Sequence, residues 1–170
     1  MHVRAAGPAD ARAVAAVHVD GWQAAYRHIV PAAVLDALSV DRHEAMWRDA
    51  IFTGRPELRV AQAGGPVLGW IAIGASRDVG AAATDAEVWA FYTAPAAWAG
   101  GVGRALWRDA RERLCAQGFT RCSLWAFPQN ERAGRFYSAA GFALEPASEK
   151  MFMLGDTPLR EVRYACGLDV

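Results

Sequence analysis

Two spacings of apolar residues alternate along this chain. His2 to Ala6 reads as a short first strand, after which Pro8-Ala9-Asp10 opens a helix carrying Val14, Val17 and His18 at helical intervals. A second helical stretch holds Trp22, Ala25 and Tyr26 and ends before Pro31. A third runs from Val40 to Phe52 and is stopped by Thr53-Gly54-Arg55-Pro56. The middle of the chain changes to short apolar runs. Leu58 to Gln62 and Val67 to Ala75 read as strands around a Gly64-Gly65-Pro66 turn, and Ala86 to Thr93 is apolar on both faces, as a central strand is. Helical spacing returns in Val102, Ala105, Leu106, Ala110 and Leu114, closed by Gly118. A strand from Arg121 to Ala126 leads to a helix begun by Asn130, with Ala133, Phe136, Tyr137 and Ala140 as its apolar stripe and Gly141 at its end. Two last strands, about Ala143 to Leu154 and Glu161 to Leu168, suit a hairpin around Gly155-Asp156-Thr157-Pro158. The order is mixed α/β around one strand–loop–helix unit.

Composition narrows this picture only a little. The 170 residues fit one domain with no internal repeat or linker, and 54% of them are apolar. Lys plus Arg and Asp plus Glu number 18 each, so no general field favours nucleic acid or an anionic membrane. No apolar stretch approaches the ~20 residues of a membrane span. The start shows no secretory pattern, and Cys115, Cys122 and Cys166 form no CxxC pair; both point to a reducing, cytoplasmic setting. No metal is implied.

The informative segment is Glu87-Val88-Trp89-Ala90-Phe91-Tyr92-Thr93 followed by Trp98-Ala99-Gly100-Gly101-Val102-Gly103-Arg104. A strand that enters a helix through glycines leaves backbone amides open at the helix start, where a phosphate or pyrophosphate binds. Gly103-Arg104-Ala105 lacks the Gly-Lys-Ser/Thr of a P-loop, and Leu106 stands where a dinucleotide fingerprint has its third small residue. On the loop alone, a plain tight turn remains an equal reading.

Here the chain resembles the GNAT superfamily of acyl-CoA-dependent N-acetyltransferases. Trp98-Ala99-Gly100-Gly101-Val102-Gly103 overlays the family loop Gln/Arg-x-x-Gly-x-Gly/Ala, with Trp98 replacing a side-chain donor and Ala99 replacing a frequent Gly. Asn130 to Phe142 looks like the family's Asn-x-x-Ala-x-x-Phe-Tyr-x-x-x-Gly-Phe segment. The resemblance implies a GNAT-like α/β (α+β) fold. Its mixed sheet of six to seven strands would be splayed between the two central ones and flanked by about four helices, in one domain spanning 1–170.

It also implies acetyl-CoA as co-substrate and an amine of a small molecule or peptide as acceptor, attacking directly in a ternary complex. Phe91, Tyr92 and Thr93 would pair with the pantetheine arm, and residues 98–104 would hold the pyrophosphate. Arg104, Arg132 and Arg135 are candidates for the CoA phosphates, and Asn130 for both a helix cap and the arm. Tyr137 would protonate the departing thiolate, since a phenol near pKa 10 can donate to a thiolate. Glu87, an acid within an apolar strand, is either the base or a strand-end carboxylate that faces solvent or pairs with an Arg. Trp22, Tyr26, Trp125 and Glu87 are expected near the acceptor, with His18 and His28 in the same region. The competing readings are a silent acyl-CoA sensor of the same fold and a transferase of longer acyl chains. Dimers are frequent in the family, and the sequence identifies no interface.

Overall fold

Strands β1 (His2–Ala5), β2 (Glu57–Gln62), β3 (Val67–Ala75), β4 (Asp85–Thr93), β5 (Arg121–Ala126), β6 (Ala143–Leu154) and β7 (Thr157–Gly167) form one sheet. Their order is β1-β2-β3-β4-β5-β7-β6, in a computed structural model that describes residues 1–168. The strand between Ala86 and Thr93 is central, as its two apolar faces require. Helices α1 (Ala11–Ala25), α2 (Ala32–Asp36), α3 (Val40–Thr53), α4 (Val102–Ala116) and α5 (Glu131–Ala139) complete the fold.

Period-2 alternation along β3 divides the core. Ile71 and Ile73 face Val102, Leu106, Ala110 and Leu114 of α4, whereas Trp70 and Ala72 face Val14 and Val17 of α1 and Trp47 of α3. The sheet is therefore covered on both sides, which is why its inner strands read as continuous apolar runs.

Two sequence expectations change. Residues 11–25 form one helix and not two, because Gly21 sits in mid-helix without breaking it. A Cβ there would lie in ordinary contact, 3.5 Å from Tyr92 Cδ1, so α1 packs on β4 at this position and continues through the glycine. The burial of Val14, Val17, Val19 and Trp22 outweighs the ~1 kcal/mol that glycine costs a helix. The short α2 after Pro31, five residues long, was not anticipated.

The sheet opens at its centre. β4 and β5 run parallel and pair only from Asp85↔Arg121 to Glu87↔Ser123. Just beyond, the β3–β4 register shifts so that Ala72 faces Ala90 and Ile73 faces Val88, leaving Trp89 as an extra residue. A bulge of this kind twists its strand, and here it falls where the two strands part. The remainder of β4 thus keeps β3 on one edge and has no strand on the other.

His18 of α1 is buried at this opening. Its ring stacks on Tyr92 at 4.7 Å and meets the His43 ring edge-on at 4.4 Å. Trp47 Nε1 donates to His18 Nδ1 at 3.1 Å; an indole only donates, so the imidazole proton sits on Nε2. Burial first, and the neighbouring His43 second, push its pKa down to about 3. The unfolded ring takes a proton from about pH 6.5 downward and the folded ring does not, so acid favours unfolding. Between pH 6.5 and about 3 this one group removes up to about 1.4 kcal/mol of stability per pH unit. Urea unfolding at pH 7, 5.5 and 4.5 should show His18→Gln losing less stability with acid than the wild type.

Candidate active site

The chain leaves β4 through a 3-10 turn at Pro95–Ala97 and reaches α4 through two residues of positive φ, Ala99 at 62° and Gly101 at 81°. Left-handed backbone costs an alanine roughly 1 kcal/mol, so Ala99 keeps the loop shape at a small expense. Gly101 is the N-cap of α4 and makes no side-chain cap. Among the described residues, the amides of Gly101, Val102, Gly103 and Arg104 have no protein partner. Four open donors at the positive end of a 15-residue helix make an anion site. Gly103 is also needed for packing, because a Cβ there would lie 3.0 Å from Phe136 of α5.

Trp98 is oriented by two contacts. Its Nε1 donates to the Thr93 carbonyl at 3.1 Å, and the Arg132 guanidinium lies 3.1 Å from its ring centre. The residue that replaces the family's side-chain donor thus carries an arginine to the loop from α5. Helix α5 begins at Asn130, whose Oδ1 accepts from the Ala133 amide at 3.2 Å. One turn later Phe136 meets Phe91 edge-on, and Tyr137 points its ring toward Tyr164 and Phe142.

These elements enclose a cleft of about 480 Å³ lined by Phe91, Tyr92, Thr93, Trp98, Ala99, Gly101, Val102, Gly103, Arg104, Asn130, Arg132 and Tyr137, among others. Gly100 is the exception among the expected residues. Its amide donates to Ala97 O at 3.2 Å and it does not line the cleft, because it closes the turn from behind. Arg135 also lies elsewhere, paired with Glu131 on the exposed face of α5.

A second cavity, about 600 Å³, opens on the other side of the gap between β4 and β5. Tyr26, Phe91, Tyr92, Asn130 and Tyr137 line both spaces, so the two adjoin there. At the junction Trp22 Nε1 donates to Tyr92 Oη at 2.8 Å. Burial raises the pKa of Tyr92 to about 12 and that of Tyr26 and Tyr137 well above the ordinary phenol value, so all three stay protonated at neutral pH. The Tyr137 hydroxyl makes no hydrogen bond among the described residues, which leaves its proton available.

Trp22, Tyr26, Glu87, Trp125 and His18 line the second cavity, whereas His28 is exposed outside it. Glu87 is 2% exposed. Its carboxylate accepts from the Arg77 backbone amide at 2.8 Å and is clasped by the Arg77 guanidinium, which also lies 4.3 Å over the Trp89 ring. Of the two roles left open for this acid, the geometry supplies the Arg partner. Asp78, likewise, is held by Trp125 Nε1 at 3.0 Å and by Arg163 at 3.0 Å.

Arg77, Asp78, Lys150 and Glu161 are cavity residues that the sequence reading missed. One signal for the last two was present. A hairpin turning at Gly155-Asp156 pairs Leu154 with Thr157, and counting back places Lys150 opposite Glu161.

The Cys122 thiol is buried and its pKa is pushed up by that burial, which leaves it a poor nucleophile. Among the described residues, no three His, Cys, Asp or Glu side chains are grouped to hold a metal ion. Nor is any helix among them long and apolar enough to cross a membrane.

Comparison with known proteins places this arrangement. Residues 22–142 match the model of the acetyltransferase (GNAT) family. An uncharacterized N-acetyltransferase of Bacillus subtilis (strain 168), YuaI, is 32% identical over 161 residues, spanning 94% of this chain and 89% of that one. Among solved structures, the PaiA N-acetyltransferase of Thermoplasma acidophilum in complex with coenzyme A has a TM-score of 0.79 at 18% identity, covering 98% of each chain. YncA, a putative acetyltransferase of Salmonella typhimurium with its cofactor acetyl-CoA, has a TM-score of 0.73 at 20% identity, over 100% of this chain and 95% of that one. The chain belongs to the acetyltransferase (GNAT) family and is an N-acetyltransferase.

Proposed function

We propose that the protein acetylates the amine of a small molecule or peptide by direct attack within a ternary complex, the donor in the first cleft and the acceptor in the second. One observation carries this reading: the two spaces adjoin, sharing Tyr26, Phe91, Tyr92, Asn130 and Tyr137 in their walls. An amine entering from one side can therefore reach a thioester held from the other, with no covalent relay through the protein.

Acetyl-CoA supplies an acyl thioester. The open amides of Gly101, Val102, Gly103 and Arg104 would hold its pyrophosphate, with Arg104 and Arg132 adding positive charge. The strand edge of Phe91, Tyr92 and Thr93, vacated by β5, would pair with the pantetheine arm as an added strand does. The Thr93 carbonyl is already engaged by Trp98 and Tyr92 turns to Trp70 of β3, so the free groups on this edge are those of Phe91 and the Thr93 amide. Asn130 keeps its side-chain amide free for the arm while its oxygen caps α5. Ala94 donates to Leu68 of β3, so by alternation the Tyr92 amide also turns to β3 and the Phe91 amide faces the gap, where it would polarise the carbonyl as charge develops. As the amine nitrogen bonds to the acyl carbon and the C–S bond breaks, Tyr137 donates its proton to the sulfur.

Trp98→Ala removes the bond to Thr93 and the seat of Arg132 together. Each is worth about 1 kcal/mol to the folded loop, so urea unfolding should show a loss of up to about 2 kcal/mol, and CoA affinity should fall by calorimetry as Arg132 loses its seat. The reading as a whole is tested by thiol release from acetyl-CoA across a panel of primary amines. Acceptor-dependent release supports it. CoA binding with no release to any amine would instead favour a silent sensor.

A further inference from the structure

Three carboxylates line the acceptor cavity, and two are already spoken for. Glu87 is clasped by Arg77, and Asp78 is held by Trp125 and Arg163. Glu161 differs. It projects from β7 with a side chain 16% exposed, and its nearest cation, Lys150 Nζ, stands 3.9 Å away, beyond hydrogen-bond distance. A mostly buried carboxylate without a donor is costly unless something occupies its lone pairs. Lys150 indicates what fits there. It is the chain's single lysine, and its ammonium also lies 4.0 Å over the Trp125 ring, so the site already accommodates an alkylammonium between an indole face and a carboxylate. Trp22, Tyr26, Phe127 and Phe152 wall the rest of the space.

We infer that Glu161 is the acceptor's ammonium anchor and the group that takes its proton, and that the site selects a primary amine carried on an apolar or aromatic body. The inference rests on the acetyl-transfer reading above and names the acceptor class for it. The incoming ammonium hydrogen-bonds to Glu161, displacing Lys150 toward solvent, where that residue is already 43% exposed. One proton passes to the carboxylate, the freed lone pair bonds to the acyl carbon, and the C–S bond breaks as the sulfur takes the Tyr137 proton. The second amine proton, shed as the amide forms, restores Tyr137 through solvent, and Glu161 releases its proton to solvent. Burial, with Glu87 nearby, raises the Glu161 pKa, while Lys150 and Arg77 oppose the rise; a raised carboxylate is a better base at neutral pH.

The test uses full-length protein, acetyl-CoA and two probes of similar bulk: phenethylamine, charged at neutral pH, and aniline, which is not. Glu161→Gln should lower kcat/KM for phenethylamine at least 100-fold and for aniline less than fivefold, with CoA affinity within twofold of wild type. Glu161→Asp should recover at least tenfold of the phenethylamine loss, and Lys150→Met should lower its KM severalfold. Equal losses for both amines, an unchanged phenethylamine rate, or a wild type that binds CoA yet acetylates no phenethylamine would each overturn the inference while leaving the cofactor site intact. Failure of the wild type to bind CoA would overturn the underlying acetyl-transfer reading, and the inference with it.

Discussion

Tyr137→Phe lowers kcat by about 100-fold or more while CoA affinity stays within about twofold. The phenol is the only hydroxyl of α5 at the junction of the two cavities, and burial keeps it protonated. Removing one oxygen leaves the ring packed against Phe136, Phe142 and Tyr164, so stability should change by less than about 1 kcal/mol. The thiolate then departs without a proton. Single-turnover measurement of thiol release, beside calorimetry of CoA binding, separates the chemical step from the binding step. Losses in both would mean that Tyr137 holds the cofactor and does not serve its leaving group.

Arg77→Met destabilises the fold by about 3 kcal/mol, read by urea unfolding at pH 7. Glu87 lies in the central strand with 2% exposure, and its charge is balanced by Arg77 alone among the side chains that bond to it. Losing the guanidinium leaves a buried carboxylate with only one backbone amide. The figure sits at the low end for a broken buried pair because Arg77 is itself half exposed and water can reach the gap. The double variant Arg77→Met with Glu87→Gln should lose less than the single one, since a neutral amide tolerates that position better. If the double variant is the less stable, Glu87 is not held there by its charge.

Much of this architecture was legible in the chain because its periods are strong. The stripe Val102, Leu106, Ala110, Leu114 fixed α4 to the residue, and the runs of β3 and β5 coincide with their observed bounds. The first cleft is lined by the glycine loop and by residues of the Asn130-to-Phe142 segment, both local patterns in which spacing carries the geometry. Failures came where neighbours in space decide. Gly21 reads as a break until Tyr92 is packed against it, and Gly100 reads as a ligand-facing glycine until its amide turns to Ala97. The second cavity was least legible. Arg77 lies in a loop, Glu161 in a late strand and Glu87 in the sheet centre, and only the folded sheet brings them into one cavity. No sequence spacing says which of several acids will find an arginine.

The central claim is that the uncapped start of α4 receives the CoA pyrophosphate. Amide chemical shifts of uniformly labelled protein, followed as CoA is added to millimolar concentration, address it directly. The Gly101, Val102, Gly103 and Arg104 amide protons should move downfield together and saturate, with Phe91 and Thr93 shifting in the same titration. Resonances that stay fixed at those six positions in folded protein, or that move only elsewhere, would contradict the account.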